Sequence, residues 1–219
     1  MINQYIRTVK IGFQSPRVVV DAFIETNRSE YTHPFKFLIF GAVPFIILSS
    51  LLVDFSTVST PSASGSSEQL SYWIDISTVR LSTQFLPLSL FLLIPLLSLP
   101  ALFFLREELN GFYSHLILNS YAIGAAMWAI LPLIPVWVFL NVPLSNPFMY
   151  STLPSLFIGL TLIFIYIRYF SVQNLMGWIR SLSTLISGYL IFMLVKGLFA
   201  GVVGYMIFAV IRLSELSGV

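Results

Sequence analysis

The sequence predicts an all-α fold: an integral membrane bundle of five transmembrane helices, preceded by interfacial amphipathic helices. Three observations carry that prediction. Of 219 residues, 57% are hydrophobic and only 9% charged, with mean hydropathy +0.90, whereas soluble domains carry about 25% charged residues. Five separate stretches are apolar over roughly the 20 residues that a helix needs to cross a hydrocarbon core about 30 Å thick. These stretches are apolar on every face, unlike the alternating segments of about ten residues that build a membrane barrel. The same composition sets aside an ordinary soluble enzyme, a nucleic-acid-binding domain and a disordered tail. With no cysteine in the chain, disulfides, thiolate metal sites and a cysteine nucleophile are removed together.

Residues 1–33 read as a cytoplasmic amphipathic segment and residues 34–219 as the transmembrane domain. In the first, Ile2, Tyr5, Ile6, Val9 and Phe13 recur at helical spacing, Arg7 and Lys10 lie off that stripe, and Ile11 strays from it. Such a helix either lies in the membrane surface or packs its stripe against the bundle. Ser15 followed by Pro16 reads as an N-cap and first-turn proline, opening a second helix through PRVVVDAFIE that ends before Asn27.

The spans follow at about 34–53, 81–105, 116–140, 151–167 and 182–211. Pro44 interrupts the first, Pro87, Pro95 and Pro100 the second, and Pro132 and Pro135 the third. Each interior proline frees a carbonyl one turn back, which predicts bends in the second and third spans. The last run holds thirty residues, more than a bilayer requires unless the helix tilts or its end emerges. Between the first two spans, the polar stretch TVSTPSASGSSEQ gives way to LSYWIDISTV, where Leu70, Trp73, Ile74 and Val79 predict a short interfacial helix.

Lys and Arg favour the cytoplasmic side of a membrane. Eight of them (Arg7, Lys10, Arg17, Arg28, Lys36, Arg106, Arg168 and Arg180) fall on one side of this arrangement, against Arg80 and Arg212 on the other. The N-terminus is therefore predicted to be cytoplasmic and the C-terminus outside.

Chemistry inside the spans is sparse. No Asp or Glu lies within them beyond their ends, and HExxH, GxSxG and Gly-rich phosphate loops are all missing, so the reading is non-enzymatic, with no cofactor and no metal. Lys196 is the exception, near the middle of the last apolar run. It snorkels outward, pairs with freed carbonyls, or meets an anionic partner such as a lipid phosphate or another subunit's carboxylate. Beside it, Gly197, Gly201 and Gly204 stand at i, i+4 and i+7, a spacing that lets helix backbones approach closely within the bundle or against another chain. A second polar cluster comprises Arg106, Glu107, Glu108 and His115 around an inner loop, with His33 on the same predicted side. Its spacing matches no established metal site.

The segments NRSEYTHPFKF (27–37) and FYSHLILNSY (112–121), with the order of spans around them, resemble a group of uncharacterised bacterial multi-pass inner-membrane proteins, a domain of unknown function. The resemblance covers most of the chain on short motifs. It implies an R-x-x-Y-x-x-P-F segment, here Arg28 to Phe35, often preceded by a zinc ribbon, and a Glu-His pair opening the third span. Without cysteine the ribbon is missing, and Ser114 stands where the glutamate would precede His115. Five spans with a cytoplasmic N-terminus are also similar to the Yip family, which implies membrane shaping and partner recruitment. Together these features point to a non-catalytic accessory, assembly or membrane-organising subunit. Its partners would be membrane lipids and other membrane-protein subunits or itself, and not nucleic acid. The alternative is a transporter or lipid-binding protein using Lys196.

Overall fold

The computed structural model describes residues 2–25, 30–52, 70–82, 86–106, 109, 111–139, 153–171 and 175–217. Every regular element among them is an α-helix: α1 (Ile2–Gln14), α2 (Pro16–Glu25), α3 (Pro34–Leu52), α4 (Leu70–Ser82), α5 (Leu86–Phe104), α6 (Phe112–Ile130), α7 (Leu133–Phe139), α8 (Leu153–Tyr169) and α9 (Leu175–Ser217). The five apolar runs coincide with α3, α5, α6 plus α7, α8 and α9. By length and composition, Phe112–Val136 and Leu175–Leu213 are long and apolar enough to cross a membrane, while Pro34–Phe45, Leu90–Phe104 and Ser155–Tyr169 are shorter apolar helices. The polar part of the first long loop, residues 53–69, lies outside the described residues.

The central helix is α6, with α3, α5 and α8 packed around it. Leu118, Ile123, Met127 and Ile130 are fully enclosed there. Two glycines bring α3 close: a β-carbon on Gly124 would stand 2.6 Å from the Phe37 ring, and one on Gly41 would stand 3.3 Å from the Gly124 carbonyl oxygen. The Leu131 N–H still reaches the Met127 carbonyl at 3.1 Å, but Pro132 has no N–H to continue the ladder, and helix resumes as α7 one residue later. The third apolar run is thus interrupted at Pro132, and α5 runs on as helix through Pro95 and Pro100.

At the edge of the molecule lies α9, which is longer than its apolar run suggested: 43 residues, or about 64 Å of helix. Ser181 is enclosed near its start, and from Thr184 on the enclosed residues, Gly188, Phe192, Ala200 and Gly204, fall on one row of step four with Lys196. A row with that step runs obliquely across a helix surface, so the two halves of α9 meet different neighbours. Gly188 sits against Leu97 of α5, and Gly204 sits against Trp73 and Ile74 of α4. The helix expected at LSYWIDISTV therefore exists and packs backbone to backbone on α9. Elsewhere α9 shows apolar side chains such as Leu190, Leu194, Leu198 and Val210, each more than 60% exposed.

Residues of the N-terminal helices pack beneath α6 and α8. Val19, Val20 and Phe23 of α2 are buried, and Tyr5, Val9, Ile11 and Phe13 of α1 lean on the same core. The expected stripe is thus partly shifted. Ile11 joins the inward face, Ile6 turns out with 59% exposure, and the fully buried Thr8 takes an inward place because its hydroxyl is satisfied twice, donating to the Gln4 carbonyl at 2.8 Å and accepting the Thr32 N–H at 2.9 Å.

Candidate functional site

In α6 the run FYSHLILNSY carries polar side chains at the step of a helical turn, and the packing of α5 and α8 encloses them. Asn119 is the hub. Its Nδ2 donates to Ser98 Oγ on α5 at 2.9 Å, and its Oδ1 accepts the Tyr166 hydroxyl from α8 at 2.6 Å. Ser98 in turn donates to the Ile94 carbonyl at 2.8 Å. All three side chains are fully buried, so a polar centre ties three apolar helices together through internal hydrogen bonds. In an environment without water, that satisfaction decides whether such residues are tolerated.

One turn before Asn119 on the same face, His115 is also fully buried, yet neither of its ring nitrogens has a partner in hydrogen-bond geometry. The Leu109 backbone acts on it only outside that geometry. A stranded buried polar group costs about 1–3 kcal/mol, which makes His115 the polar centre's weak point.

A second set of contacts seats the N-terminal helices. Gln4 Nε2 donates to the Tyr31 carbonyl at 3.0 Å, the Tyr121 hydroxyl to the Thr32 carbonyl at 2.6 Å, and Arg168 Nη1 to the Gln14 carbonyl at 2.6 Å. The Tyr169 hydroxyl donates to Asp21 Oδ1 at 2.9 Å, and Arg17 pairs with the same carboxylate at 3.2 Å. These groups line a cleft of about 180 Å³ with Glu25, Leu109 and Phe170. Tyr5 accepts the Trp128 indole N–H and lies against Phe37, Phe40 and Trp128. Burial pushes its hydroxyl up to about 12, with the Trp128 bond working against that rise.

Because the seated tyrosine resists ionising, deprotonation favours the undocked state. Stability from this contact is complete below the ordinary tyrosine value near 10 and is lost as pH rises from there through about 12. Hydrogen exchange in α1 should accelerate over that window, and Tyr5→Phe should remove this component of the dependence. Identical pH profiles for the two proteins would show that Tyr5 does not anchor the helix.

The residues singled out from the sequence are distributed differently from the way their spacing suggests. Lys196 is half-buried, with its ammonium 5.9 Å from the centre of the Phe192 ring. Gly204 is consumed by α4, whereas β-carbons on Gly197 and Gly201 would meet nothing within 4 Å, so the three do not form one interface. His33 is exposed, edge-on to the Phe23 ring, and accepts the Phe35 N–H at 3.3 Å. Arg106 is exposed in the turn after α5, and Glu107 and Glu108 lie outside the described residues. The two histidines thus occupy opposite environments, one exposed and one enclosed.

Among the described residues, no group of three His, Cys, Asp or Glu is placed to hold a metal. The Asn119 hub carries no charge and so does not stand out among the ionisable groups of the apolar runs; its signal in the sequence is an asparagine one turn after a histidine. Comparison with known protein families, curated proteins and solved structures finds no match for this chain.

Proposed function

We propose that the chain is a non-catalytic, five-span membrane protein, N-terminus cytoplasmic, that serves as an accessory or membrane-organising subunit through helix contacts along α9. The observation that carries this reading is the open ground at Gly197 and Gly201, where a β-carbon would meet nothing within 4 Å, set among the exposed Leu194, Leu198, Val202 and Tyr205. Paired small residues four apart allow a partner backbone to approach closely in lipid. The internal need for close approach is met elsewhere, by Gly188 and Gly204. The polar centre supports the same reading, since its bonds hold helices together and leave no paired acid and base beside a nucleophile. The resemblance to bacterial inner-membrane proteins of unknown function, and the weaker one to the Yip family, agree with this role, and the bacterial inner membrane is the location proposed with it.

Gly201→Leu tests it. The fold has room for the side chain, so the purified variant should unfold like the parent, while its stoichiometric association with a second copy or another membrane subunit in mild detergent should be lost. A parent that is monomeric and alone, or a variant that keeps its partner, defeats the proposal. A second reading, a lipid-binding or transport protein, is favoured by the position of Lys196 in the row shared by α4 and α5. Under that reading Gly201→Leu changes nothing, and Lys196→Met releases copurifying anionic lipid.

A further inference from the structure

We infer that the outward face of α1, together with Lys36, docks on the anionic headgroup layer of the bilayer and makes the N-terminal segment a lipid-charge reader. The inference rests on the membrane reading above and names the lipid class. Asn3, Ile6, Arg7, Lys10 and Gln14 are exposed and line a shallow groove along α1, with Ile11, which packs on the core, as its inner margin. The opposite side is fixed by Tyr5, Thr8 and the Gln14 carbonyl, so the exposed face is held in one place.

That place is set by α3. The Tyr5 ring lies 5.1 Å from Phe40, which belongs to an exposed row on α3 that starts with Lys36 and continues with Phe40, Val43 and Ile47. The row passes from a cation to apolar side chains within one turn, and α1 lies beside that change. In a spanning helix such a transition marks the boundary between headgroups and hydrocarbon. At that level the outward groups are Arg7, Lys10 and Lys36. The carboxylate placed against them is Glu30, 3.7 Å from Arg7, whose guanidinium also lies over the Tyr31 ring at 5.4 Å. Arg17 is matched by Asp21 on α2. The surplus of the α1 face is therefore positive, and the exposed Ile6 beside it supplies an apolar foot, the combination that holds an amphipathic helix on an acidic leaflet.

The absence of cysteine makes the test direct. Full-length Ile6→Cys and Leu198→Cys proteins, each carrying one spin label, are placed in nanodiscs of phosphatidylcholine with or without added phosphatidylglycerol. Accessibility to oxygen and to a water-soluble nickel relaxant is then measured. The label at position 6 should lose nickel collisions when phosphatidylglycerol is present, and Lys10→Glu should restore them in that lipid while changing nothing in phosphatidylcholine alone. Equal nickel exposure in both lipids, or equal insertion that Lys10→Glu leaves untouched, overturns the inference. The label at position 198 separates the two levels of the argument. Rich in oxygen and poor in nickel, it keeps the membrane reading whatever position 6 does; exposed to nickel, it removes that reading and this inference together.

Discussion

Gly204→Val is expected to pry α4 from α9 and destabilise the protein by about 3 kcal/mol, the upper part of the usual range for overpacking a close contact. A β-carbon at this position would stand 2.8 Å from both the Cα and the backbone nitrogen of Ile74 and 2.9 Å from the Trp73 carbonyl carbon. Backbone atoms cannot rotate aside as a side chain can, so relief requires moving the whole of α4. Gly188→Val should cost less, because the nearest obstacle is Leu97 Cδ2 at 2.5 Å, although the Leu97 Cα at 3.0 Å limits how far the contact can relax. Gly201→Val, with nothing within 4 Å of its new carbon, should leave stability unchanged or raise it by less than about 1 kcal/mol, since valine is a better helix former than glycine. Denaturation of the three purified variants measures the order directly. Equal losses at positions 204 and 201 would mean that α4 does not pack where it is described.

Asn119→Leu ranks second in expected effect. The substitution keeps the number of side-chain heavy atoms and removes the acceptor of the buried Tyr166 hydroxyl and the donor to Ser98. Ser98 keeps the Ile94 carbonyl, so the stranded group is the tyrosine hydroxyl, and the loss should be about 1–3 kcal/mol. Tyr166→Phe should also cost about 1–3 kcal/mol, because it leaves the buried Asn119 Oδ1 without its hydroxyl donor. Replacing both partners by apolar groups of similar shape approaches neutrality, so Asn119→Leu with Tyr166→Phe should recover part of the loss. A double variant whose loss is the plain sum of the single ones would show that the two side chains do not act as a pair.

The helical elements were legible in the sequence because length and all-round apolarity are strong signals: the runs at 34–53, 81–105, 116–140, 151–167 and 182–211 correspond to helices, and the proline at 132 breaks the third as its missing N–H requires. Side-chain direction was less legible. Periodicity placed Ile6 with the inward stripe of α1 and left Ile11 outside it, yet the hydrogen bonds of Thr8 rotate the face so that a hydroxyl is enclosed and Ile6 is not. The glycines of α9 show the same limit. Spacing groups Gly197, Gly201 and Gly204 on one side, but a neighbour that crosses obliquely uses Gly204 and leaves the other two bare. Sequence proximity groups Arg106 with His115, whereas packing leaves Arg106 exposed and His115 enclosed, and Asn119 gains its partners from helices distant in sequence.

The bonds that seat α1 have a consequence for biogenesis. Tyr5 is held by Trp128, 123 residues further on, and Gln14 by Arg168, 154 residues further on. With synthesis adding about 5–20 residues per second, α1 waits roughly 6–30 s for its berth to be built. Its closure onto the later helices is thus a late event in maturation, and truncated nascent chains that end before residue 128 would carry α1 without that anchor.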